Sequence, residues 1–340
     1  MPGRWNDQIN LASKLTLKKS INMVRVLSSF YRSRTTGRPL IKGLPIALSI
    51  EPTTSCNLRC PECPSGLRSF TRPTGMLTRE LFQKTIDELK DTLTWLTFYF
   101  QGEPYLHPRF TEMVEYASSR GIYTSTSTNA HFLKDDTAQK TVASGLDRLI
   151  ISIDGITQAS YESYRVGGSL GKVLDGTSKI VEWKRKMKSR TPHVVFQFLV
   201  VRQNEHEIPE VYRLAKKLGV DDVVLKTAQI YDFEKGSPLL PVNEKYSRYR
   251  KGADGRYRIK NELLNHCWKM WHSSVVTWDG KVVPCCFDKD ARFQMGDLNK
   301  NSFHEIWFNR EYQNFRSTLL GSRNEIEICR NCTEGTKVWA

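Results

Sequence analysis

The chain has 340 residues, 51 Lys+Arg against 36 Asp+Glu for a net charge of +15, and eight Cys. At 39% hydrophobic and 26% charged it has a globular composition and enough length for one large or two modest domains, while its cysteines fall far short of the ~8–10 per cent of a disulfide scaffold. No apolar run approaches a membrane span, Lys14, Lys18 and Lys19 interrupt any signal-peptide core, and no basic run interleaved with aromatics points to nucleic acid, so the expectation is a reducing, cytoplasmic setting where thiols can serve as metal ligands.

Between residues 10 and 31, Leu17, Ile21, Val24, Leu27 and Tyr31 recur at helical intervals, with Lys14, Lys18, Lys19 and Arg25 among them. That pattern predicts an amphipathic helix in a basic N-terminal extension, residues 1–45, packed across the body of the protein. Peripheral contact with a membrane surface is the alternative. Strand-like runs follow at 46–50, 96–100, 123–128, 149–153, 194–201 and 222–226, alternating with helical candidates at 77–93, 108–120, 135–144, 171–188 and 207–218. Six strands alternating with five helices predict an α/β unit over 46–230 with parallel strands and right-handed crossovers. In such folds the functional loops follow the strand C-termini. A polar stretch, 231–262, reads as a linker or lid, and the cysteine-bearing tail, 263–340, as a separate small module.

The loop after the first strand carries Cys56-Asn-Leu-Arg-Cys60-Pro-Glu-Cys63. Three thiolates so close can converge on one metal centre. A structural zinc ion wants a fourth ligand nearby, whereas a [4Fe-4S] cubane held by three Cys keeps one iron open to a ligand that is not protein. The tail supplies five more: Cys267, then Cys285-Cys286 five residues after Gly280, then Cys329-Arg-Asn-Cys332. Four of these suffice for a second cluster, and an all-cysteine zinc site is the alternative.

From about residue 46 to its end the chain resembles the radical S-adenosylmethionine (SAM) superfamily, on the CxxxCxxC motif, its place after the first strand and several later motifs. The resemblance implies a partial (β/α)6 TIM-like barrel with a small C-terminal Cys-rich auxiliary-cluster module. It also implies a [4Fe-4S] cluster on Cys56, Cys60 and Cys63 whose open iron chelates SAM, and reductive cleavage of SAM to methionine and a 5'-deoxyadenosyl radical. Gln101-Gly102-Glu103-Pro104 resembles the family's GGEP edge, which binds the SAM amino group, with Gln101 in place of the first Gly. Ser152 in Ser152-Ile-Asp154-Gly155 and the following Arg165 resemble the ribose and carboxylate contacts. Thr128-Asn129 fills the usual TNG corner, with Ala130 in place of Gly. Glu62 stands where many relatives carry an aromatic. The tail resembles the SPASM and shortened twitch modules, and implies an auxiliary [4Fe-4S] cluster on Cys267, Cys285, Cys329 and Cys332, with Cys286 spare.

A four-cysteine auxiliary cluster has no open iron for substrate, which makes electron transfer its natural role. Hydrogen abstraction, proton loss and electron transfer then sum to a two-electron oxidation, and a base is needed. Asp288 beside the cluster loop is the candidate, with His272 further upstream. The alternative outcome is epimerisation, in which an unligated Cys286 returns a hydrogen atom. The expected function is therefore a radical SAM oxidoreductase acting on an unactivated C–H site in a carbohydrate-like small molecule or a peptide, served by an acidic electron donor such as flavodoxin or ferredoxin. An epimerase or peptide-modifying maturase is the alternative, and a zinc-stabilised, non-catalytic binding protein the reading from another class.

Overall fold

The computed structural model describes residues 2–338. The N-terminal segment forms two helices rather than one, α1 (Pro2–Ser13) and α2 (Leu17–Thr36). The break falls at Thr16, whose side chain caps α2 by accepting from Lys19 N. Helix α2 does cross the body, but not on its apolar stripe: Leu17 is 78% and Val24 66% exposed, while Lys19, Asn22, Val26 and Phe30 are buried. The partners decide this. Phe30 meets Trp268 and Trp271 edge-on with ring centroids 5.2 and 5.5 Å away, Lys19 Nζ donates to Gly121 O at 2.6 Å, and the Asn22 amide bonds both backbone groups of Leu44.

Six parallel strands then follow in chain order: β1 (Ala47–Ile50), β2 (Trp95–Thr97), β3 (Tyr123–Thr128), β4 (Arg148–Ser152), β5 (His193–Val200) and β6 (Asp222–Thr227). The crossovers contain α3 (Pro64–Leu67) and α4 (Arg79–Leu89), α5 (Phe110–Ser118), α6 (Asp135–Ala143), α7 (Gln158–Glu162) and α8 (Leu170–Lys186), and α9 (Ile208–Leu218). Alternate strand residues such as Leu48, Leu96, Leu149 and Phe196 pack under the helices against Phe82, Ile86, Val114 and Ile180. Fully burying each such side chain stabilises by about 1.5–3 kcal/mol. Helix α1 forms the floor: Asp7 accepts from Arg148 at 2.7 Å and from the Tyr123 hydroxyl, Asn10 bonds Asp147, and Arg4 clamps Asp222 through two bonds of 2.6 and 3.0 Å.

Residues 231–262 are more ordered than a linker. A hairpin of β7 (Tyr249–Lys251) and β8 (Tyr257–Ile259) carries a buried Tyr249, stacked on Phe233 with centroids 4.7 Å apart. Together with Leu239 and Leu240 this segment packs against Leu58 and Cys60 of the first cysteine loop. Nor is the tail a detached module. After α10 (Lys269–His272), β9 (Ser273–Val276) pairs in parallel with β1. The antiparallel β10 (Lys281–Val283) and β11 (Gly296–Asp297) extend the same sheet to nine strands in the order β11-β10-β9-β1-β2-β3-β4-β5-β6. Helices α11 (Phe303–Phe308) and α12 (Arg310–Ser322) close the extension. No helix among the described residues is long and apolar enough to cross a membrane.

Candidate functional site

All three cysteines of the first loop line one cavity of about 90 Å³ at the C-terminal ends of the strands, with Glu103, Asn129, Ser152 and Arg165. Cys63 precedes the short helix α3, and Cys60 is buried under the lid. Burial pushes the Cys56 thiol up to about 11 and raises Cys60, so thiolates here call for a positive partner. Arg165 is one: its Nη1 lies 3.8 Å from Cys60 Sγ while its Nε holds the fully buried Asp154. Burial works against the Arg165 charge, yet Asp154 and Cys60 outweigh it and hold its pKa well above the ordinary range.

Each of the other residues singled out from the sequence has a definite place. Glu103 is 2% exposed and accepts from Thr128 Oγ1 at 2.7 Å and Asn129 N at 2.8 Å. Even so, burial lifts its pKa to about 7, the signature of a carboxylate short of a cation. Gln101 accepts from Ser65 Oγ, which in turn accepts from Gly102 N. Gly102 has φ +75°, and a Cβ there would stand 2.2 Å from Thr53 O, so only glycine lets this edge reach the cysteine loop. Asn129 bridges to Asn57 Oδ1 at 2.8 Å, and Ser152 ends β4 in the cavity wall. Ala130 takes a left-handed φ of +62°, the conformation a glycine would favour.

In the second set, Cys285 feels the charge of Cys267 and Cys332, and Cys329 that of Cys267. Arg323, 1% exposed, stands beside Cys267, Cys329 and Cys332, with its Nη2 3.5 Å from Cys332 Sγ, a side-chain bond to Cys329 and further hydrogen bonds to the carbonyls of His266 and Glu334. None of these partners is a carboxylate. A buried guanidinium needs counter-charge, and a cluster of thiolates supplies it. Gly335, φ +81°, lies so close that a Cβ would come within 2.2 Å of Cys267 Sγ. Cys286 faces elsewhere: it packs beside Phe100, Val275, Val283 and Ala291, 3.9 Å from Lys269 Nζ. Among the described residues no three His, Cys, Asp or Glu side chains are drawn together tightly enough for a single metal ion. Donor chemistry and counter-charge therefore carry the fit to iron-sulfur clusters: three thiols beside a carboxylate and a guanidinium in one site, three around a buried guanidinium with Cys285 as a fourth in the other.

Asp288 departs from its expected role as the base. It is 1% exposed and its carboxylate accepts from Arg292 N and Phe293 N, both at 2.8 Å, so it caps its own loop. His272 is buried, which together with Lys269 drops its pKa to about 3. Several residues passed over in the sequence stand between the first cysteine set, Cys286 and the tail. Tyr99 and Lys289 each feel both Cys63 and Cys286, and Lys289 Nζ lies 3.4 Å from Gln229 Oε1 and 4.9 Å from the Tyr231 ring. Asn331, inside the CxxC, bonds Tyr249 and Ile230 and so ties the lid to the tail. A cavity of about 970 Å³ runs from Leu11, Leu15 and Met23 of the N-terminal helices past β1 and β2 to the tail, and Lys226, Lys269, Lys337 and Glu334 line it. Only the place of Tyr99 near a strand end could have marked it; the rest gather through tertiary contacts.

Comparison with known proteins agrees with this geometry. A model of the radical SAM superfamily matches residues 50–215, and one of the SPASM iron-sulfur cluster-binding domain matches residues 267–333. Over 318 residues the chain is 27% identical to the tungsten-containing aldehyde ferredoxin oxidoreductase cofactor-modifying protein of Pyrococcus furiosus, spanning 84% of this chain and 86% of that one. In fold it is similar to BtrN in complex with AdoMet and 2-DOIA, with a TM-score of 0.54 and 18% identity over 87% of this chain and 95% of that chain. It is also similar to anSMEcpe with bound AdoMet and Cp18Cys peptide, at 0.58 and 19% over 85% and 88%. Streptococcus suis SuiB bound to precursor peptide SuiA scores 0.61 at 12% identity over 86% and 70%.

Proposed function

The chain belongs to the radical SAM superfamily, with a SPASM domain and the [4Fe-4S] clusters and SAM that these imply, and from that premise we propose that it dehydrogenates a C–H site next to oxygen or nitrogen in an anion-bearing small molecule or peptide. The observation that carries the reading is the grouping of Cys267, Cys329 and Cys332 around buried Arg323, with Cys285 within reach of the charge of Cys267 and Cys332, which suits a cluster with every iron held by protein and so suits electron uptake rather than substrate ligation. SAM and its cluster supply, when bound, a radical that abstracts a hydrogen atom, and the auxiliary cluster an acceptor for one electron. The protein does the rest. Glu103 receives the SAM ammonium, which satisfies its under-compensated carboxylate, and Arg165 keeps a guanidinium edge for the SAM carboxylate beside Ser152. Lys289 Nζ, whose pKa burial lowers and which feels both Cys63 and Cys286, is the group that would take the proton. Lys226, Lys269 and Lys337 around the large cavity suit a substrate with carboxylate or phosphate groups. The fold likeness to BtrN, solved with 2-DOIA, is in keeping with a small-molecule substrate, and those to SuiB and anSMEcpe, solved with peptides, with a peptide.

Epimerisation is the second reading, favoured by one observation: Cys286 is the tail thiol that shares Tyr99 and Lys289 with the first cysteine set. Turnover in heavy water separates the two. Oxidation predicts product lighter by two hydrogens with no deuterium at the reacting carbon and turnover retained in Cys286→Ala. Product of unchanged hydrogen count carrying one deuterium, lost in that variant, would replace oxidation with epimerisation.

A further inference from the structure

We propose that helix α2 is a docking face for an anionic lipid bilayer. At 100° per residue, Leu17, Ile21, Val24 and Tyr31 fall within one narrow arc, and all four are exposed, at 78, 44, 66 and 48%. The buried residues Lys19, Asn22, Val26, Phe30 and Ser33 occupy the opposite arc, so the stripe points straight away from the core. Lys18, Arg25 and Arg32, seven residues apart, run along one flank of the stripe and are exposed. Lys18 reaches Asp91 at 2.8 Å, an ion pair in which both side chains are mostly exposed, worth little in water. On α1, Trp5 and Ile9 form another exposed apolar pair, at 67 and 52%.

The charge of this segment selects the occupant. Residues 1–45 hold nine cations against Asp7 alone; Arg4 and Lys14 pair with Asp222 and Asp147, Lys19 is buried, and Asp7 is held by Arg148 and Tyr123, which leaves Lys18, Arg25, Arg32, Arg34, Arg38 and Lys42 exposed with no acid of the segment to balance them. A second copy would bring two such segments together and repel. An anionic bilayer meets both demands, since headgroups attract the cations and the apolar stripe enters the headgroup boundary. The helix is already folded against Trp268 and Trp271, so docking costs no folding of the segment. The floor of the barrel would face the lipid, leaving the strand C-termini and the cysteine cavity open to substrate.

Co-sedimentation of the full, cluster-loaded chain with vesicles tests this. Vesicles of 70% phosphatidylcholine and 30% phosphatidylglycerol should carry the protein down, salt should weaken binding, and pure phosphatidylcholine vesicles should carry little. Ile21→Glu with Val24→Glu should abolish binding with cluster absorbance and thermal unfolding unchanged, because both positions face solvent. Reversing Lys18, Arg25 and Arg32 to Glu leaves the stripe intact and should weaken partitioning at least roughly fivefold per charge. Wild-type protein that stays in solution with the anionic vesicles at low salt would overturn the proposal. So would a vesicle-free dimer that the stripe variant dissolves, which would assign the stripe to a second copy.

Discussion

One cysteine set follows an inner strand of the sheet and the other belongs to the tail that extends it, and their surroundings differ in kind. The first, Cys56, Cys60 and Cys63, opens into a cavity whose wall holds a carboxylate lifted by burial to about 7 and a guanidinium already half committed to Asp154. The second, Cys267, Cys285, Cys329 and Cys332, has three of its thiols beside a guanidinium with no carboxylate among its hydrogen-bond partners, and a glycine almost in contact with Cys267. The difference lies in where charge balance is left incomplete. At the first set a zwitterionic ligand can complete it, with its ammonium at Glu103 and its carboxylate at Arg165. At the second, buried Arg323 already opposes the thiolates, and no room remains at Gly335 for another group.

The largest test of this contrast removes the open set. Cys56→Ala, Cys60→Ala and Cys63→Ala together should abolish reductive formation of 5'-deoxyadenosine, measured by chromatography under anaerobic conditions, and leave the absorbance of the auxiliary cluster. Continued cleavage would mean that the open cavity is not where SAM reacts.

The closed set should fail the other way. Arg323→Met strips the counter-charge from buried thiolates, a change that costs about 3–5 kcal/mol where a buried pair is broken. Auxiliary iron should fall by about four per chain while SAM cleavage persists, and retention of all iron would show that the guanidinium is not the balancing charge.

Glu103→Gln probes the open site more gently, since losing a hydrogen bond to a charged group costs about 1.5–3 kcal/mol. SAM affinity measured by calorimetry should drop roughly ten- to a hundredfold with both clusters intact. Native Glu103 is protonated below about 7, so affinity should fall as pH drops through that value, and the Gln variant should lose the dependence. Stability runs the opposite way without SAM. A folded pKa raised above the unfolded one means that the folded chain holds the extra proton, so this group's contribution weakens as pH rises from about 4.5 through about 7.

The smallest effect belongs to the corner beside the cavity. Ala130→Gly relieves a left-handed alanine, a conformation costing about 1–2 kcal/mol, against the roughly 0.5–1 kcal/mol of extra chain entropy a glycine gives up. Thermal unfolding should shift upward by a few degrees at most with SAM cleavage unchanged, and a lower midpoint would mean that the alanine methyl packs better than its backbone suffers.

What the sequence determined by itself was whatever neighbouring residues encode. The βα alternation came through because apolar periodicity is local, and the six barrel strands lie within a few residues of their expected places, though the β2 ladder stops at Thr97 rather than 100. The spacing of Cys56, Cys60 and Cys63 keeps three thiols in one loop whatever the rest of the chain does. Contacts across long stretches of chain lay beyond it. Leu17, Ile21 and Val24 promised a buried stripe, yet Trp268, Trp271 and Leu44 claimed the opposite side of α2, because a helix buries whichever face its partners complement. The tail looked detached until β9 paired with β1, a register set by backbone hydrogen bonds between residues more than two hundred positions apart. Asp288 read as the candidate base, yet the backbone N–H groups of Arg292 and Phe293 in its own loop take up its carboxylate. Only the closed fold places Arg323 among Cys267, Cys329 and Cys332 and Lys289 between Cys63 and Cys286, since burial and field are properties of the surroundings that tertiary packing creates.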